Sequence, residues 1–156
     1  MRTPFLYLSS GRLKHGVFQM RDAELLLTLK EFAVENDYAY SELNGLEIND
    51  KAQFLSAIEL ALASPIKLNW DTFESELKSV SWIPKNGIII VYRDFQAFQR
   101  SDITEFRTLL SIVHFVIQLK TYQMRLDSQS LYFVFYSDGQ VQLPLTEIAT
   151  PHLVNA

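Results

Sequence analysis

Two stretches, Gly87–Tyr92 (GIIIVY) and Ser130–Tyr136 (SLYFVFY), constrain the fold more than any other part of the chain. Both are short, nearly free of polar residues, and rich in β-branched or aromatic side chains, so both read as strands. A strand with one wet face alternates apolar and polar residues. The unbroken run at Gly87–Tyr92 instead predicts a strand covered on both faces, as in a parallel sheet between helices. Helical periodicity recurs between the apolar runs, which supplies the crossovers that parallel neighbours need. The expected fold class is α/β, with a mostly parallel sheet packed by helices.

In chain order, Pro4–Leu8 and Gly16–Met20 are short apolar runs, read as a strand pair or as a loose start followed by one strand. Arg21-Asp22 opens a helix with Leu25, Leu26, Leu29, Phe32 and Ala33 on one face, and Asn36-Asp37 stops it. Tyr38–Leu43 alternates as a strand. Asn44-Gly45 is a tight-turn signal, with Leu46–Ile48 resuming the chain. Asn49-Asp50-Lys51-Ala52-Gln53 is a capping-box pattern that starts a second helix, ended by Ser64-Pro65. The loop Ile66-Lys67-Leu68 leads to Asn69, the cap of a third helix built on Trp70, Phe73 and Leu77. Arg93–Arg100 reads as a loop or a turn of helix. Asp102-Ile103-Thr104-Glu105 is another capping box, opening the longest helix, whose apolar stripe runs from Phe106 through Ile117 to Lys120. Asp138-Gly139 predicts a hairpin turn into Val141–Leu145, with a peripheral tail from Thr146.

Few kinds of chemistry survive inspection. The chain has no cysteine, which excludes thiolate metal sites, disulfides and a cysteine nucleophile and fits a cytoplasmic location. A net charge of −4 argues against nucleic-acid binding, which needs a basic face. No apolar run approaches the length of a membrane span, so no membrane association is expected. Walker, dinucleotide-binding, HExxH and GxSxG motifs are missing, and no cofactor or metal is expected. His114 reads as a helix histidine beside the apolar stripe, and His15 and His152 as surface residues. Tyr132, Phe133, Phe135 and Tyr136 read as sheet packing rather than a base-stacking platform. No catalytic residue stands out, and the chain is read as a non-enzyme.

The stretch Asn69–Pro84 (NWDTFESELKSVSWIP) carries the most information. At about 100° per residue, Trp70, Phe73 and Leu77 form a buried stripe, while Asp71, Ser75 and Lys78 face away with Glu74 beside them. That outer face reads in two ways. It is a solvated surface with Asp71 at the positive end of the helix dipole and Glu74–Lys78 as an i,i+4 pair. Or it presents Asp71 and Glu74 to a basic partner from a rigid helix, where complementary fields speed encounter.

Several blocks resemble the barstar family of small intracellular ribonuclease inhibitors. They are Leu43-Asn44-Gly45-Leu46-Glu47-Ile48, Phe54-Leu55-Ser56-Ala57-Ile58, Ala61-Leu62-Ala63-Ser64-Pro65, Asn69-Trp70-Asp71-Thr72-Phe73, Ser81-Trp82-Ile83-Pro84 and Gly87–Tyr92. The resemblance implies one barstar-like domain: a core over residues 41–136, a strand–helix extension at 1–40, and a hairpin strand and tail at 137–156. It implies an inhibitor or immunity protein that binds a basic ribonuclease or related toxin through Ile66, Lys67, Leu68, Asn69, Asp71, Glu74, Ser75 and Lys78. Two departures point to an altered target. The loop Ile66-Lys67-Leu68 is shorter than the family's and lacks its aromatic residues and glycine. One turn after Asp71, where the family has a second aspartate, stands Ser75. The alternative is a protein-binding module on the same scaffold that inhibits nothing.

Overall fold

The computed structural model describes residues 15–64, 66–79, 86–123, 129–138 and 152–153, with backbone alone at 123, 152 and 153. The elements are β1 (Gly16–Met20), α1 (Ala23–Glu35), β2 (Ala39–Asn44), a 3₁₀ turn (Gly45–Glu47), α2 (Lys51–Leu62), α3 (Trp70–Lys78), β3 (Gly87–Arg93), α4 (Gln96–Ser101), α5 (Ile103–Gln123), β4 (Ser130–Tyr136) and β5 (His152–Leu153). The strands form a sheet of order β2-β3-β4-β1-β5 in which every pairing is parallel. The fold is α/β, as expected, and β3 and β4 are buried along almost their whole lengths.

The strand order dictates where the helices lie. From β1 the chain crosses β4 and β3 to reach β2, then steps back through β3 to β4. Right-handed crossovers in opposite directions place their helices on opposite faces. Accordingly, among the described residues, α1 covers one face, with Leu25, Leu26, Leu29 and Ala33 against Phe18, Met20, Ile89, Val91, Tyr132 and Val134. Helices α2 to α5 cover the other, against Val17, Ile88, Ile90, Tyr92, Leu131, Phe133 and Phe135. The centre of that second layer is Phe54 of α2. Its ring lies 5.4 Å from Tyr92, 5.5 Å from Phe73, 5.9 Å from Trp70 and 6.2 Å from Phe98, joining α2, α3, β3 and α4 in one aromatic cluster.

Local signals set the helix ends. Asp22 accepts from the Glu24 N–H at 2.8 Å and starts α1; Asp37, at φ 58°, turns the chain after it. At α2 the Asp50 carboxylate accepts from the Gln53 N–H, and the Gln53 amide oxygen accepts from the N–H of Asn49, one residue before the cap, a variant of the expected capping box. Asp102 caps α5 through the Glu105 N–H at 3.2 Å, but the Glu105 side chain goes elsewhere.

Three expectations are corrected. Asn44-Gly45 is not a tight turn between strands, since among the described strands β2 pairs with β3 alone, and in parallel. Asn44 has φ −87° and its side chain caps a 3₁₀ turn, so Leu46 and Glu47 do not resume as a strand. Glycine is required at 45 by proximity: a Cβ there would stand 2.0 Å from the Arg93 carbonyl oxygen and 2.4 Å from that of Asp94. His15 is buried, not on the surface, because its Nδ1 accepts the Leu131 N–H at 3.1 Å and ties the start of β1 to β4. His152-Leu153, expected to be peripheral, pairs with β1 at the sheet edge. The apolar run Pro4–Leu8, Pro65, the Ser81-Trp82-Ile83-Pro84 block and the Val141–Leu145 hairpin strand lie outside the described residues.

Because the Gly45 site is enclosed by backbone, which cannot rotate away, Gly45→Ala is expected to destabilise the fold by about 2 kcal/mol or more. Urea unfolding of the two proteins measures this, and equal midpoints would contradict the close approach of the 3₁₀ turn to β3.

Candidate interaction face

The candidate face begins where α2 ends. Ala63 adopts a left-handed conformation (φ 52°) and turns the chain out of the helix. Ile66 then drops its side chain into the core, fully buried. Its N–H donates to Oε1 of Glu59 at 2.8 Å, and the Lys67 N–H donates to the same oxygen at 3.3 Å. Lys67 and Leu68 follow at φ 58° and 51°, two consecutive left-handed residues, neither of them glycine. Each such residue costs roughly 1–2 kcal/mol. The loop holds this shape because it is gripped on both sides, by Ile66 and Glu59 before it and by Asn69 after it. The Asn69 side-chain oxygen accepts from the Asp71 N–H at 2.7 Å and the Thr72 N–H at 3.4 Å, capping α3. Lys67 and Leu68 are left exposed between these anchors.

Helix α3 buries Phe73 and Leu77 completely. Trp70 is only half-buried, where the sequence pattern predicts a fully buried ring. An indole has a polar end that must be satisfied, and here its N–H donates to Glu105 Oε2 at 2.8 Å at the edge of the core. The Lys51 ammonium stands 5.7 Å from the Trp70 ring centroid and 4.0 Å from the Glu105 carboxylate. At the other end of α3 the Lys120 ammonium donates to the Lys78 carbonyl at 2.9 Å, satisfying an orphan acceptor of the last turn. Lys78 itself pairs with Glu74 at 2.8 Å and lies 5.2 Å from the centroid of Phe115. Trp70 thus meets the first turn of α5, and Lys78 its later turns. The two helices run side by side in the same direction.

Asp71 and Ser75 are exposed on the outer side of α3. Asp71 lies in the first turn, where the free amides of the helix start favour a negative charge. Glu76 is turned away from them and accepts from Ser64 Oγ at 2.7 Å. Of the eight residues the sequence singles out, Lys67, Leu68, Asn69, Asp71, Ser75 and Lys78 are exposed on the loop and helix, and Glu74 is half-buried in its pair with Lys78. Ile66 has no outward surface and serves as the anchor. Sequence reasoning missed Lys51, Glu105 and Phe115, which come to α3 from distant positions. A signal existed for Phe115 alone: it is a large aromatic off the apolar stripe of its helix.

A shallow cavity of about 330 Å³ is lined by Asn44, Glu47, Ile48, Ala52, Gln53, Ser56 and Ala57, none of them in the loop 66–69 or α3. Among the described residues the clearly shifted titrating groups are Tyr40, Tyr92, Tyr132 and Tyr136, all pushed up by burial and all outside that cavity. Among the described residues no cluster of three His, Cys, Asp or Glu side chains is placed to hold a metal ion, and no helix is long and apolar enough to cross a membrane.

Residues 38–129, more than half of the chain, match the family described as Barstar (barnase inhibitor). The chain belongs to the barstar family. Members of this family are inhibitors rather than enzymes. Among curated proteins none matches the chain. Among solved structures the fold is similar to that of the Aeropyrum pernix ORC2 protein in its ADPNP–ADP complexes, with a TM-score of 0.51 and 14% identity, covering 87% of this chain. The similar region is 38% of that protein's length, and the likeness is one of fold alone.

Because Glu59 is the acceptor for two successive loop amides, Glu59→Ala is expected to cost about 1–2 kcal/mol. Hydrogen exchange at the Ile66 and Lys67 amides is expected to accelerate well beyond that of the α3 core amides. Unchanged exchange at these two positions would show that the loop is held by its other contacts.

Proposed function

We propose that this barstar-family chain is an inhibitor or immunity protein that binds a ribonuclease or related toxin through the loop 66–69 and the outer face of α3, with a target altered from that of its relatives. The observation that carries this reading is the rigid loop and cap. Lys67, Leu68 and Asp71 are presented by backbone already fixed by Ile66, Glu59 and Asn69, so little conformational entropy is lost on binding. Asp71 forms no ion pair among the described residues and is available to a cation on the partner. The lack of cysteine fits action in the cytoplasm.

A second reading, a binding module that inhibits no enzyme, is favoured by Ser75. The relatives' second aspartate is replaced there by a neutral side chain, and the neighbouring Glu74 carboxylate is held by Lys78. Nucleotide binding of the kind named for the ORC2 structure is not part of either reading. The link from β1 to α1 is Arg21-Asp22, without glycine, and the Asp22 carboxylate occupies the helix start where a phosphate would sit.

An inhibition titration against a panel of small secreted microbial ribonucleases at low salt tests the proposal. Stoichiometric inhibition is expected from the wild type, with Asp71→Ala weakening it by about 1 kcal/mol or more while the melting temperature is preserved. Inhibition equal in both proteins would move the site away from α3. No inhibition at micromolar protein would favour the non-inhibitory module.

A further inference from the structure

The role proposed for α3 leaves the opposite flank of α2, and the sheet edge beneath it, unused. Among the described strands β2 is an edge, paired with β3 alone. An edge strand offers a row of unpaired N–H and C=O groups, which monomeric proteins blunt with proline, lysine, a bulge or sheer brevity. At the opposite edge β5 is only two residues long. Strand β2 has six residues, contains neither proline nor lysine, and keeps an unbroken one-to-one register with β3 from Ala39 to Asn44. Its one charge, Glu42, is engaged within the chain: Oε2 accepts from the Tyr40 hydroxyl at 2.8 Å and Oε1 from the Arg93 guanidinium at 3.3 Å.

Both faces of this edge fit a second copy of the same strand, and both select one register. On the α1 face the Lys30 ammonium lies 5.8 Å from the Tyr40 ring centroid, exposed and without an ion pair among the described residues. An antiparallel copy of β2, related by a two-fold axis at Ser41, sets each Glu42 directly opposite the other chain's Tyr40. Their Cβ atoms are then roughly 5 Å apart, which brings the carboxylate under Lys30. Glu42 keeps its present partners, since each carboxylate oxygen accepts more than one bond. Arg93 leans inward, 5.4 Å from the Tyr136 ring centroid. The Tyr136 hydroxyl is pushed up by burial and, after it, by the Asp138, Asp94 and Asp22 carboxylates, so acidic groups stand around Arg93 there. Asp37 and Glu47 lie beyond the two ends of the paired span.

On the other face Ser41 Oγ donates to the Ala61 carbonyl at 3.2 Å, so α2 passes over β2 at Ala61. The axis at Ser41 therefore places Ala61 opposite its own counterpart, where the two α2 helices come closest. Ala57, one turn earlier, is half-buried on the same flank. Alanines at this point allow an approach at the near end of the usual 8–10 Å range. Leu60, 84% exposed, stands at the rim, where a second helix covers it.

We propose that β2 is a dimerisation edge, joining two copies of this chain about a two-fold axis at Ser41, with Lys30 of each copy meeting Glu42 of the other and the α2 helices packed at Ala61. Glu59 is two positions from Ala61, about 200° round the helix, so the loop 66–69 that it holds stays open in the dimer. The dimer offers two α3 faces to partners.

Sedimentation of the full-length chain from about 1 to 200 μM tests this, with Lys30→Glu and Glu42→Lys alongside. Both substitutions are at exposed positions, and thermal melting verifies that each variant folds. The wild type is expected to dimerise across this range. Each variant alone sets like charges together at both symmetric contacts, and its dimer dissociation constant is expected to rise about tenfold or more. An equimolar mixture of the two variants restores both opposite-charge contacts, so a mixed dimer is expected to form near the wild-type affinity. A wild type that stays monomeric at the highest concentration would overturn the inference. So would a dimer that neither variant weakens, or variants that fail to associate when mixed. Neither substitution touches α3, so any of these failures leaves the ribonuclease reading standing.

Discussion

Everything in this fold depends on β3 and β4 being dry on both faces. Their backbone groups are satisfied by parallel neighbours on each side, and their side chains are satisfied only if helices cover the sheet above and below. That requirement recruits α1 to one face and four helices to the other. It also explains how a chain with 21% charged residues affords a surface helix such as α3 a fixed position. Phe73 and Leu77 are committed to the core, and the helix cannot roll without exposing them.

Around α3 the polar contacts act as stops rather than as sources of stability. The Asn69 cap sets where the helix begins, the Lys120 ammonium on the Lys78 carbonyl closes its end, and the Trp70–Glu105 bond sets its orientation against α5. Each is worth about 1 kcal/mol net, little beside the aromatic cluster around Phe54. Their effect is positional. A helix fixed at both ends and along one side presents Asp71, Ser75 and Lys78 in a single arrangement.

Most of the elements were legible because their signals are local. The apolar runs of β3 and β4, the Asp50–Gln53 box, the Asp102 cap and the Asx start of α1 are each written within a few residues and found where expected. What escaped is what distant residues decide. Gly45 resembles a turn glycine until the carbonyls of Arg93 and Asp94 close on it. His15 looks terminal until β4 arrives to donate an N–H. The reach of Glu105 to Trp70, and of Phe115 to Lys78, leaves no mark at any helical spacing. The eight residues chosen for the candidate face describe one helix and its loop, whereas the surface the structure presents belongs to two helices.

The place of β1 has a consequence for how the chain folds. It precedes every other described strand in the sequence yet sits between β4 and β5, and His15 and Leu131 meet across 116 positions. During synthesis β1 emerges long before either neighbour, while β2, α2, α3 and β3 can already pair and pack. Phe18 and Met20 therefore have α1 to pack against but no strand neighbour until the last part of the sheet is made. Closing so long a loop is slow, and in that interval the β4 edge of the partial sheet is open to strands from other chains. The strand that completes the sheet is also the one through which an unfinished chain is most exposed to aggregation.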